Sequence, residues 1–91
     1  MKHATPQTLD TIEPLLAEIR KFTVLNERKR GIFYKKSIAY LHFHEDPAGL
    51  FADVKFGGAW KRLDVTSNRA KRALLTSVRR DLIRAIRPLD G

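Results

Sequence analysis

Apolar residues recur along this chain with two periods, and the change of period divides it into helix, sheet and helix. Leu9, Ile12, Leu15, Leu16, Ile19 and Phe22 stand mostly three or four apart, the spacing of one buried helical face. Pro14 has no amide hydrogen and is best tolerated in a first turn. The pattern therefore predicts a regular helix over residues 10–23, starting near Asp10 or Thr11 after a turn at Thr5-Pro6. Residues 26–31, Asn-Glu-Arg-Lys-Arg-Gly, read as a polar connection that Gly31 ends.

From Gly31 the apolar period shortens to two, and four strands are predicted over residues 32–36, 38–44, 50–56 and 59–65. The connections are Lys36-Ser37, Asp46-Pro47-Ala48-Gly49 and Gly57-Gly58. Pro presets φ near −65°, and Gly supplies the positive φ that tight turns require. Three tight connections in succession make an antiparallel meander in order 1-2-3-4. Residues 67–87 contain neither Gly nor Pro, and Leu74, Leu75, Val78, Leu82, Ala85, Ile86 and Leu89 fall on one helical stripe. Thr66, Ser67 or Asn68 can cap this second helix, which Pro88 and Gly91 end. The expected architecture is one α+β domain spanning residues 1–91: helix, four-stranded antiparallel meander, helix, with both helices on one face of the sheet.

Register follows from parity. With Lys35 facing Ile38, Glu45 facing Leu50 and Phe56 facing Ala59, one face collects Ile32, Tyr34, Ala39, Leu41, Phe43, Leu50, Ala52, Val54, Phe56, Ala59, Leu63 and Val65. Both helices should cover it, and only Lys61 is out of place there. The other face then carries three rows: Phe33, Tyr40, Lys55 and Trp60; His42, Asp53 and Arg62; His44, Phe51 and Asp64. His42 is expected directly across from Asp53, which would raise its pKa, with Arg62 competing for the same carboxylate. A one-residue slip at Gly49 would instead set Asp53 against Phe43.

Composition narrows the function classes. The 91 residues are 43% hydrophobic, enough for one core in one domain. No cysteine is present, which excludes disulfides, thiolate metal sites and thiol catalysis and fits a reducing, cytoplasmic setting. The opening Met-Lys-His-Ala-Thr-Pro-Gln-Thr has no apolar stretch of the signal-peptide kind. No apolar run reaches the roughly 18 residues of a membrane span, so none is expected. Eighteen Lys and Arg against ten Asp and Glu give a net charge of +8. Such a field attracts polyanions: nucleic acid, an anionic membrane surface or an acidic protein.

Three constellations carry candidate chemistry. Arg69, Arg72, Arg79, Arg80, Arg84 and Arg87 cluster opposite the apolar stripe of the last helix, with Asp81 the one acid among them. Planar guanidinium groups suit phosphate contacts, while a merely solvated helix face is the alternative. On the sheet, Phe33, Tyr40, His42, Phe51, Asp53, Lys55, Trp60 and Arg62 combine stacking surfaces with cations, as single-stranded nucleic acid requires. The same face would equally serve a homodimer, or lie beneath the N-terminal segment. Finally, His42 and His44 share a face about 7 Å apart and, with Asp53 or Asp64, have the ligand types of a zinc site. Asp53 could instead orient His42 as a general base, yet only Ser37 and Tyr40 supply hydroxyls nearby. Gly57-Gly58 is explained as a turn, so no phosphate-cradling loop is present. No catalytic residue and no cofactor is assigned. The leading reading is a non-enzymatic interaction module for a polyanion such as nucleic acid. A homodimeric structural or regulatory protein and a metal- or His-dependent small enzyme are the alternatives.

Gly31-Ile32-Phe33-Tyr34 and the run from Tyr40 to Val54, Tyr-Leu-His-Phe-His-Glu-Asp-Pro-Ala-Gly-Leu-Phe-Ala-Asp-Val, resemble a set of small uncharacterised bacterial proteins. The resemblance covers about residues 31 to 54 and implies a bacterial, cytoplasmic origin; no activity, ligand or catalytic residue comes with it. The helix–meander–helix order is also similar to the frataxin-like and YjbR-like arrangements, a likeness of topology that does not carry function. Frataxins are expected to present an acidic ridge, whereas this helix pair is basic.

Overall fold

Thr5 opens the chain's first helix. Its side-chain oxygen accepts from the Thr8 amide at 3.2 Å, and Pro6 follows at the first helical position, where its missing N–H costs nothing. The computed structural model, which describes residues 1–86, places two short helices here instead of one over residues 10–23. They are α1 (Pro6–Thr11) and α2 (Glu13–Arg20), broken at Ile12 with φ −116° and ψ 19°. Pro14 is the physical reason. A continuous helix would set its ring against the Asp10 carbonyl, so the chain restarts with Pro14 in the first turn of α2.

The sheet is larger than the expected four strands. Its order is β2 (Leu25–Lys29), β3 (Ile32–Lys35), β4 (Ile38–Asp46), β5 (Gly49–Phe56) and β6 (Ala59–Asp64), all antiparallel, with β1 (Lys2–His3) also paired to β4. The segment read as a polar connection is thus mostly the edge strand β2. Its charged residues Glu27, Arg28 and Lys29 are the kind that protect an exposed edge, and Leu25 alone is buried. Strand β1 takes the part of β4 that the short β3 leaves free: Ile32 pairs with His42, whereas Lys2 and His3 pair with Glu45 and His44.

From β4 to β6 the register is as parity requires. His42 faces Asp53, Glu45 faces Leu50, Asp53 faces Arg62 and Phe56 faces Ala59. The ladder runs one pair further, to Asp46 opposite Gly49, so the turn holds only Pro47 and Ala48. Between β3 and β4 the counting fails. Phe33 pairs with Leu41 and Tyr34 with Ala39, leaving Tyr40 as the extra residue of a β-bulge. The bulge reverses the faces assigned to β3: Phe33 turns into the core and Ile32 lies beside His42. Tyr40 also turns inward.

Helix α3 (Asn68–Ile86) begins where Ser67 accepts from the Ala70 amide at 3.0 Å through its hydroxyl. Leu9, Ile12, Leu15, Leu16 and Ile19 join Leu74, Val78 and Leu82 over Phe33, Leu41, Phe43, Ala52 and Val54 in one buried cluster. All three helices therefore serve one sheet face, leaving β4, β5 and β6 an outer face for chemistry. No helix among the described residues is long and apolar enough to cross a membrane.

Candidate functional site

The outer face is organised by where β1 docks. The Ala4 amide donates to the Phe43 carbonyl at 3.1 Å, and the Thr5 amide donates to Glu45 Oε1 at 2.7 Å. These bonds hold His3 directly opposite His44. His42 lies two residues before His44 and so shares its face. Three imidazoles converge as a result, with ring centroids 4.6 Å (His42–His44), 4.7 Å (His3–His44) and 5.7 Å (His3–His42) apart. One ring nitrogen from each lies within 4.8 Å of the others. Trp60 closes the cluster on one side, its ring 5.1 Å from that of His42.

Asp53 lies against this cluster. Arg62 binds its carboxylate in bidentate fashion, Nε to Oδ1 and Nη2 to Oδ2, both at 2.8 Å. That guanidinium holds the Asp53 carboxyl below its ordinary range. His44 Nε2 stands 3.2 Å from Asp53 Oδ2 without the alignment of a hydrogen bond, and His42 Nδ1 is likewise buried without a hydrogen-bond partner. Desolvation, then the neighbouring His44, pushes His42 below the usual imidazole range. His44 is lowered by desolvation as well. The expected rise for His42 is thus reversed: Asp53 does attract the charged form, but burial outweighs it.

Of the residues expected on this face, His42, Phe51, Asp53, Lys55, Trp60 and Arg62 occupy it. Phe33 and Tyr40 do not, being 1% and 2% exposed on the core side. The Tyr40 hydroxyl donates to Asp81 Oδ2 at 2.9 Å, and the Gly57 amide donates to Asp81 Oδ1 at 3.1 Å. The face therefore keeps Trp60 as its one largely exposed aromatic among those expected there. It does not form the continuous stacking platform that the alternation promised.

Inward rotation of Asp81 also changes α3. Arg69, Arg72, Arg79, Arg80 and Arg84 are exposed and span an arc of about 140° at 100° per residue. Among the described residues none of the five forms an ion pair. A shallow groove between α3 and β6 is lined by Phe56, Lys61, Ser77, Arg80, Asp81 and Arg84. Lys61, the residue out of place on the apolar face, thereby joins the arginine surface. Arg87 lies outside the described residues.

Two participants escaped the sequence reading. His3 was missed because a two-residue strand has no readable period. A third His on a chain already showing His-x-His was the available signal. Lys61 was missed because its partners stand on α3, brought beside it only by packing. No family model, curated protein or solved structure matches the chain.

Proposed function

We propose that this protein is a non-enzymatic module that binds the phosphate backbone of nucleic acid through α3. The observation that carries the reading is the exposed stripe of five guanidinium groups with no ion pair among the described residues. From Arg69 to Arg84 the stripe runs about 22 Å at 1.5 Å per residue. Duplex DNA presents a charge about every 1.7 Å of its axis, so such a stripe meets many phosphates at once. Arginine favours this use because its planar fork donates to phosphate oxygens in pairs. Lys61 widens the surface toward β6, and the Asp81 carboxylate in the same groove is engaged by the Tyr40 hydroxyl and the Gly57 amide. Contacts of this kind read charge and spacing, so the binding is not sequence-specific.

Fluorescence anisotropy with a labelled duplex, repeated across a salt series, tests the proposal. Log affinity should fall linearly with log salt. Replacing Arg79 and Arg80 together by Gln should flatten the slope by roughly two, about one per lost phosphate contact. Absence of binding at about 50 mM salt, or an unchanged slope in the double variant, rejects it.

A further inference from the structure

We propose that His3, His42 and His44 form a binding site for one divalent first-row transition-metal ion, zinc being the reference case. The site faces away from α3, so it is separate from the surface proposed for nucleic acid.

Convergence is the first support. Two strands distant in sequence deliver three imidazoles with one nitrogen each inside a 4.8 Å sphere of mutual distance. Zinc–nitrogen bonds of about 2.0–2.1 Å in a tetrahedral site put ligand atoms roughly 3.4 Å apart. Small rotations of the three rings close that difference. Imidazole nitrogen suits zinc and its neighbours in the series, and is a poor match for magnesium or calcium, which take oxygen.

The second support is independent of the first. Buried polar atoms in folded proteins nearly always have partners, and an exception asks for an ion or a water. Among the described residues there are two, His42 Nδ1 and His44 Nε2, on neighbouring rings. His44 is 8% exposed, so bulk water does not readily satisfy it. Its Nε2 stands 3.2 Å from Asp53 Oδ2 with no hydrogen bond between them.

Asp53 supplies the negative charge. Clamped by Arg62 at 2.8 Å through both oxygens, it stands beside the ring of His44. A carboxylate this close to a ligand histidine offsets part of the ion's charge. His3 is exposed. The fourth coordination position therefore faces solvent, where a water or a small anion would complete the shell, as at open zinc sites.

The test uses the full chain without a polyhistidine tag, stripped with a chelator. Zn2+ is titrated in by calorimetry against a chromophoric competitor, and Co2+ by visible absorption. One ion per chain is expected, with the intense bands of tetrahedral cobalt. His3→Ala leaves the core untouched and should weaken Zn2+ binding at least tenfold; His42→Gln should do the same with circular dichroism unchanged. Asp53→Asn should weaken it by about 10- to 100-fold. Failure to bind Zn2+ saturably at neutral pH overturns the proposal, and so does an affinity that His3→Ala leaves unaltered.

Discussion

Replacing Tyr40 by Phe isolates one buried hydrogen bond. Tyr40 is 2% exposed and Asp81 6%, and the hydroxyl donates to Asp81 Oδ2 at 2.9 Å. Burial and that neighbouring carboxylate both push the Tyr40 pKa up, so the hydroxyl keeps its proton across the ordinary pH range. The substitution preserves the ring and removes the one side-chain donor to that carboxylate among the described residues, leaving the Gly57 amide on Oδ1 at 3.1 Å. Hydrogen bonds to a charged group contribute about 1.5–3 kcal/mol, and orphaning a buried acceptor is the costly way to lose one. A loss of about 2 kcal/mol is expected. For a domain of this size that lowers Tm by roughly 8–16 °C. Urea unfolding should show a lower midpoint with an unchanged slope, since the surface exposed on unfolding is the same. Tyr34→Phe is the control, because the Arg28 guanidinium 4.3 Å over its ring stacks equally on Phe. In a double-mutant cycle, Tyr40→Phe with Asp81→Asn should fall short of additivity, as contacting partners do. A Tyr40→Phe stability within about 0.5 kcal/mol of wild type would mean that this bond does not hold the bulge against α3.

Two further outcomes are expected. Gly49 has φ +144°, and a Cβ there would strike Thr66 Oγ1, which accepts from the Leu50 amide at 3.0 Å. Gly49→Ala should cost about 1–3 kcal/mol in thermal unfolding. A Thr66→Ala background should relieve the collision but not the strain of positive φ, and an equal cost in both backgrounds would refute the steric account. Glu13 is held below its ordinary 4.5 first by Arg20 and then by Arg30. A depressed carboxyl stabilises the fold fully above 4.5, and that contribution is lost as pH falls through its folded midpoint. Carbon-detected NMR titration should place the midpoint below 4.5, with Arg20→Gln moving it up; a wild-type midpoint at 4.5 would contradict the ion-pair geometry.

Where the chain's own geometry is local, its letters were enough. Gly57 and Gly58 both have positive φ, 56° and 85°, which a two-residue hairpin turn demands. Given that turn and the one at Pro47-Ala48, strict alternation places His42 opposite Asp53 and Asp53 opposite Arg62. Ser67 caps α3 for equally local reasons. The helical stripe of Leu74, Val78 and Leu82 needed only the helical period.

Other features depend on partners far away in sequence, and no window of residues contains them. The edge strand β2 is polar because one side of an edge meets solvent, so its composition reads as a loop. Strand β1 is two residues long and exists because β3 pairs no further than Ile32 opposite His42, exposing the ladder of β4 at His44 and Glu45. The bulge at Tyr40 breaks parity by one residue. It coincides with a bond to Asp81, 41 positions away, that accompanies the inward turn of Tyr40 off the outer face. Sequence alone could thus locate His42, Asp53 and the arginines. Bringing His3 to His42 and His44, and engaging the Asp81 carboxylate with Tyr40 and the Gly57 amide, took tertiary packing. Such long-range pairings compete for the same few buried hydrogen-bonding groups, and the whole fold decides which of them are made.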